Sequence, residues 1–424
     1  MNTFIQKLTL LFTDKTLRNR LLFVLGALAI FRVLAVIPIP GINAAQLQVF
    51  LQNNQFFGLL NLFSGGGLSN LSIVMLGVGP YITASIILQL LTMLVPRLKQ
   101  LYQEEGEAGR ARFSQYTRFL TLPIAIIQGV SFLLILQREA ILPGLTPLQF
   151  ATNLLVIVAG SIYLMWLGEL ISEFGLGNGI SVIIFAGIVA GLPQDAAQTL
   201  FAFDAAKLPI YAAFLAAGLA IIAAVVVITE AERPVPVTYA KQVRGMRFFG
   251  GSSTTYLPLR LNQAGVIPII FALSLLLIPQ MAATFFATSH IAIVAHAAAQ
   301  IQHFMQNLLY YGICYFALVF LFTYFYTAVT FDPHQIAENL QKNGAFIPGV
   351  RPGHSTTEYL AKVITRITFV GALFLGVIAV LPIAVQSFTG ISSLTLGGTA
   401  LLIVVSVILD LARRIDAQIS IREY

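Results

Sequence analysis

Absences narrow the chemistry of this chain first. It has one cysteine, Cys314, set among aromatic residues, so neither an internal disulfide framework nor a multi-thiolate metal site is available. Its five histidines are scattered, which leaves no clustered imidazoles for metal chemistry. No G-x-x-x-x-G-K-[ST], H-E-x-x-H or G-x-S-x-G pattern occurs, so ATP hydrolysis, zinc proteolysis and elbow-type serine catalysis lack their usual parts. Charge is scarce as well, at 10% of residues. Ionisable groups within or beside the apolar runs are few, among them Arg32, with Glu169 and Glu173 near the end of the fourth run. A secondary transporter coupled to ions would carry more buried carboxylates. An intramembrane protease would need a base at the depth of Ser85 or Ser274, and no histidine lies mid-run.

What is present is apolar: 58% of the 424 residues are hydrophobic and the mean hydropathy is +0.86. Crossing ~30 Å of hydrocarbon takes roughly 17–25 apolar residues. About ten such runs occur, at 21–37, 71–95, 119–136, 154–171, 180–192, 208–228, 264–287, 308–331, 363–385 and 394–411. The fifth is too short for an ordinary span. Residues 1–20 are basic and amphipathic with no small-residue cleavage site after them, which predicts an interfacial helix rather than a cleaved signal. All lysines and arginines except Arg32, Arg138 and Lys207 fall in the terminal segments or in connections on one side, so both termini are expected in the cytoplasm. Arg32 within the first run costs ~2.5–3.5 kcal/mol on insertion scales, and a structural role bridging helices is expected of it.

Two runs carry the same interruption, Gly-x-x-Pro, at Gly77 to Pro80 and Gly265 to Pro268. Each is the second run of its set of five. Matching Gly/Pro interruptions in two halves point to the place where a substrate passes. Because five is odd, a second set of five begins on the opposite side of the membrane, so similar halves are inverted repeats. The expected division is 1–205 and 206–424. Coincidence is the plainer alternative, since glycine and proline are common in transmembrane helices.

The long polar connections lie on the cytoplasmic side. Residues 229–262 alternate β-branched and aromatic residues with basic ones around Gly-Gly, which predicts a projecting hairpin. Residues 332–358 open with a helix-starting Asp-Pro and turn at Gly344, Pro348 and Pro352. Either loop could merely obey topology, yet two long basic loops on one face exceed what topology needs. On the other side, residues 56–70 (FFGLLNLFSGGGLSN) are too short to span and too apolar for a free loop. They fold back into the membrane on a glycine hinge, or lie along it as an interfacial helix. The side chains flanking the interruptions are aliphatic: Val78 and Ile82, Ile270 and Leu276. Such residues are ordinary packing in most membrane helices, but a ring of them would gate by dewetting while binding no particular solute.

Seven ordered motifs carry a resemblance: 31–42 (FRVLAVIPIPGI), 77–91, 104–118 (EEGEAGRARFSQYTR), 175–188 (GLGNGISVIIFAGI), 257–272 (LPLRLNQAGVIPIIFA), 344–353 (GAFIPGVRPG) and 397–410. Over essentially its whole length the chain resembles the SecY family of bacterial protein-conducting channels. The resemblance implies an all-α polytopic protein with ten transmembrane helices, in two inverted five-helix halves closing like a clamshell around an hourglass pore. It implies a passive channel, not an enzyme, with no cofactor, in the bacterial plasma membrane. It also implies a pore ring of Val78, Ile82, Ile184, Ile270, Leu276 and Ile403, with Ile184 on a half-depth fifth helix starting at Asn178-Gly179. Phe57, Leu59, Leu60, Leu62, Phe63, Gly65, Gly66 and Gly67 would belong to a plug in the outer funnel. Gly77, Pro80, Gly265 and Pro268 would be the flex points of a lateral gate between spans two and seven. Arg244, Arg247 and Arg351 would dock the SecA motor ATPase or the ribosome. The implied partners are the small subunits SecE and SecG, signal sequences, unfolded polypeptides and membrane lipid. At Val78 and Leu276 the family's best-known members usually have isoleucine.

Overall fold

Helix starts leave backbone N–H groups that lipid cannot satisfy, and this chain supplies side-chain caps for them. In helix α1 (Lys15–Val36) the Asp14 carboxylate accepts from the Thr16 N–H at 2.8 Å. Helix α2 spans Gly79–Leu94, α3 Pro96–Gln103 and α4 Gly106–Arg138. Helix α5 (Pro147–Phe174) opens with a capping box, Thr146 Oγ1 accepting from Gln149 N–H while Gln149 Oε1 accepts from Thr146 N–H at 3.0 Å. Helix α6 (Gly179–Phe201) is started by Asn178 Oδ1, which accepts from Ile180 N–H at 3.1 Å. The remaining helices are α7 (Leu208–Glu230), α8 (Ile267–Phe286), α9 (Ala292–Gln306), α10 (Leu308–Thr330), α11 (Pro333–Lys342), α12 (His354–Thr389) and α13 (Thr395–Glu423). The computed structural model describes residues 14–40, 64, 66–68, 70–103, 105–138, 141, 142, 144–201, 208–239, 243, 244, 247, 248, 254–263, 265–286, 291–389 and 395–423. The expected interfacial helix at the N-terminus lies largely outside the described residues.

Each of the ten apolar runs is carried on a helix. Among the described residues five helices are long and apolar enough to cross a membrane: α1, α4, α5, α10 continuing into α11, and α12. A sixth results if α2 and α3, bent by 115° at Val95, count as one span. Shorter apolar helices occupy Gly179–Pro193, Gly218–Glu230 and Ile267–Gln280. Two runs differ from expectation. Run 71–95 is helical only from Gly79, and residues 71–78 form successive turns. Helix α6 does not stop with its apolar run but continues through Pro193 to Phe201, 23 residues in all.

The first six helices pack among themselves, as do the last seven. The two sets meet along two lines: α8 against α2 and α4, and α13 against α6.

The two long basic loops join outside the helices. Strands β1 (Glu232–Tyr239) and β4 (Thr254–Arg260) form the expected antiparallel hairpin, with β2 (Val243–Arg244) and β3 (Arg247–Phe248) paired nearer its tip. The second loop adds β5 (Ala345–Phe346) to the free edge of β1, giving the order β4-β1-β5. Proline placement explains how short β5 is. Pro234 directly faces Pro258, so that pair exchanges no ladder bonds, and by alternation Pro236 and Thr238 turn toward the edge away from β4. Pro236 thus has no N–H to offer that edge, and the pairing with β5 is confined to Thr238 with Phe346 and Tyr239 with Ala345. Val235, Val237 and Leu259 on the inner face bury against Leu360, Val363, Ile364 and Ile367 of α12.

Close approach between α5 and α6 depends on glycine. A β-carbon at Gly179 would collide with the Gly168 carbonyl oxygen, whereas one at Gly191 on the same helix meets nothing within 4 Å. Replacing Gly179 with alanine is expected to destabilise the protein by about 1–3 kcal/mol, and Gly191→Ala to be neutral. Thermal unfolding of the purified protein in mild detergent measures both, and equal midpoints would refute the packing assignment.

Candidate functional site

The helices that meet across the two sets also carry the six aliphatic side chains singled out from the sequence. Val78 and Ile82 lie at the start of α2, Ile184 on α6, Ile270 and Leu276 on α8, and Ile403 on α13. None is more than 6% exposed, and all six belong to one contiguous cluster of buried apolar residues. Ile86, Ile188, Leu273 and Val407 extend this cluster along the same helices, and Val74 and Val266 extend it into the turns before α2 and α8. Keeping six such side chains from water is worth on the order of 10 kcal/mol, at ~1.5–3 kcal/mol each. An apolar guest segment could replace those contacts, and an ion could not. The plane of contact between the two sets is therefore dry and chemically unselective.

Both Gly-x-x-Pro sequences sit in one local conformation. Gly77 has φ +59° and Gly265 φ +61°, in the left-handed region that favours glycine. In each case the helix begins two residues later, at Gly79 and Ile267, and the proline occupies the second helical position. There its missing N–H costs nothing. These motifs are helix entries, where the sequence read them as interruptions within longer runs. Ser161 Oγ of α5 donates to the Gly77 carbonyl at 2.9 Å, and Asn262 Nδ2 donates to the Gly265 carbonyl at 3.2 Å.

The turn segment before α2 is tied down. Ser64 Oγ accepts from Leu68 N–H at 3.0 Å, Ile39 N–H donates to the Leu71 carbonyl at 2.9 Å, and Ile73 N–H donates to the Ile37 carbonyl at 3.0 Å. Leu71 holds φ +41°, a strained value for a side chain with a β-carbon, and is fully buried. Gly66 at φ +78° and the closely packed Gly67 lie in this turn. Phe57, Leu59, Leu60, Leu62, Phe63 and Gly65 of the expected plug lie outside the described residues.

Polar and aromatic contacts flank the cluster. Arg118 of α4 bonds Glu169 of α5 at 2.7 Å, which gives the fourth-run carboxylate its partner. Arg32 is half-buried. Gln128 Nε2 of α4 reaches Thr83 Oγ1 of α2 at 3.4 Å. Phe271 of α8 packs edge-on against Phe322 and Tyr326 of α10, with ring centroids 6.0 and 6.2 Å apart.

Arg351 is exposed in a turn built by Gly344, Gly349 and Gly353, all at positive φ, and its carbonyl accepts from Thr356 Oγ1 at 2.9 Å. Beside this turn Lys342 hydrogen-bonds Glu338 at 2.8 Å, which holds that carboxyl below its ordinary range. Arg244 and Arg247 pair across β2 and β3 at the far end of the hairpin. Strand β5 thus joins the two basic loops in one sheet, a link that a two-residue strand leaves no pattern for in sequence. Ser161 and Gly160 were not legible in the sequence, since α5 carries other small residues, Ala151, Ala159, Gly168 and Ser172, at similar places.

Comparison with known proteins agrees with this architecture. The SecY family model matches residues 72–412. Among relatives, protein translocase subunit SecY of Mycobacterium tuberculosis is 41% identical over 430 residues, covering 96% of each chain. That of Streptomyces coelicolor is 41% identical over 435 residues, covering 97% of each. A solved protein-conducting channel superposes with a TM-score of 0.63 at 19% identity, covering 93% of this chain and 90% of that one. A SecY structure concerned with how the plug domain stabilises the closed state superposes at 0.66 with 20% identity and the same coverage. Canine Sec61 from a ribosome-channel complex superposes at 0.59 with 18% identity, again covering 93% and 90%. With that match and that identity over nearly its full length, the chain belongs to the SecY family of protein translocase subunits.

Proposed function

We propose that Val78, Ile82, Ile184, Ile270, Leu276 and Ile403 form the constriction through which this multi-pass, protein-conducting channel passes unfolded secretory polypeptides across the bacterial plasma membrane. The observation that carries the proposal is their burial in one cluster on the four helices α2, α6, α8 and α13, along the lines where the two sets of helices meet. The two sets act as inverted halves, 1–205 and 206–424, with both termini in the cytoplasm. Separating α8 from α2 and α4 opens the channel sideways, so a signal sequence lodges there and hydrophobic segments leave into lipid. The Gly-x-x-Pro entries are the points about which α2 and α8 turn. Residues 56–70 plug the outer funnel until the chain enters.

Energy comes from outside the chain, from the SecA ATPase or the translating ribosome. The basic sheet formed by residues 229–262 and 332–358 receives them, with Arg244, Arg247 and Arg351 as contacts. Arginine suits such a surface because its planar fork holds carboxylate or phosphate in two-pronged fashion. The ribosome-bound state of the canine Sec61 neighbour supports this reading. SecE and SecG complete the membrane complex.

A cysteine at Ile403 is expected to crosslink to a secretory chain stalled in the channel, at several times the yield of one at Ile293 on α9, which is 82% exposed and outside the cluster. Equal yields from an intact stalled complex would refute the constriction. Arg351→Glu is expected to lower motor-driven export at least tenfold, as loss of charge-assisted contacts worth about 1.5–3 kcal/mol implies, while the channel still accumulates in the membrane. Normal export into inverted vesicles would contradict the docking role.

A further inference from the structure

We propose that Ser161 and Gly160 on α5, matched by Asn262 and by Gly371 on α12, clamp the two pivots about which α2 and α8 swing; the proposal rests on the channel reading above. The Gly77 carbonyl lies one residue before the first acceptor of the α2 ladder, Val78, which receives Ile82 N–H at 3.0 Å. It therefore needs a donor from elsewhere, because water is scarce at such depth. Ser161, only 1% exposed, supplies one from 84 residues away. Next to it, a β-carbon at Gly160 would collide with the Ile73 carbonyl oxygen, so only glycine lets α5 lie against that turn.

The second entry shares the close helix contact, while its motif carbonyl is bonded from within the same turn, by Asn262 three residues before it. A β-carbon at Gly371 would come within 2.6 Å of the Leu261 carbonyl oxygen. Ile73 and Leu261 each lie four residues before the positive-φ glycine of their motif. In both places, then, a helical glycine presses on the backbone at that position and a polar side chain bonds the motif glycine's carbonyl.

A helix held at its start moves most at its far end. For α2 that end is Leu94, 78% exposed, followed by the 115° bend at Val95. With inverted halves, α2 and α8 are pinned on opposite sides of the membrane and part like crossed blades.

Amide exchange of the full-length channel in lipid nanodiscs, read by mass spectrometry, tests the clamp. In the empty channel Ser161→Ala is expected to speed exchange at residues 71–79 roughly three- to tenfold, the factor one buried hydrogen bond contributes. Exchange within α12 should stay unchanged. Gly160→Ala should act in the same direction, Ser161→Thr should restore protection by returning the hydroxyl, and Gly26→Ala, whose β-carbon meets nothing within 4 Å, should have no effect. With a stalled secretory chain in the wild-type channel, 71–79 should keep its protection while 90–95 loses it. Unchanged exchange at 71–79 in Ser161→Ala would overturn the clamp, as would loss of protection at 71–79 together with 90–95. Failure of any secretory chain to engage would count against the channel reading alone, since the empty-channel comparison needs no substrate.

Discussion

The aliphatic cluster between α8, α2, α6 and α13 holds by exclusion of water and by dispersion, and most of what is unusual in this chain follows from that. Contacts of this kind have no directional partners to satisfy, so they come apart and re-form around any apolar guest. They also have to be re-formed in register each time. The groups that do carry direction, hydrogen bonds and close backbone contacts, are correspondingly placed at the helix entries and in the turn before α2. The apolar cluster is thus bordered by directional contacts.

That division of labour continues toward the basic surface. The β4-β1-β5 sheet buries Val235, Val237 and Leu259 against Leu360, Val363, Ile364 and Ile367 on α12. About one turn further along α12, Gly371 presses on Leu261, four residues before the α8 entry. One helix thus touches both the proposed docking surface and the proposed pivot of α8. Packed continuity of this sort is a physical route by which a partner bound to the loops could bias the gate, and it becomes coupling only where the element has two states.

Hydropathy alone announced that the apolar runs are carried on helices, because a bilayer admits little else. It failed at residues 71–78, which are as apolar as a helix yet form turns. Gly77 and Pro80 held the corrective signal, since proline at the second position marks where a helix starts. Apolarity likewise understated α6, whose polar continuation past Pro193 a hydropathy reading ends too early. The hairpin at 229–262 was legible from its alternation, but its third strand was not. The six ring residues came from family resemblance, with Val78, Ile82, Ile270 and Leu276 also visible as aliphatic flanks. Ser161, Gly160 and Gly371 were not legible, because a serine or a glycine in a long apolar run looks alike whether it meets lipid or a carbonyl 84 residues away.

The most direct measurement of the central claim is a density map of the channel with an arrested secretory chain, in lipid. The account predicts polypeptide density passing between Ile82, Ile184, Ile270 and Ile403, with α2 and α8 parted and the 71–78 turn in place against α5. Density running outside a cluster that remains closed would contradict it.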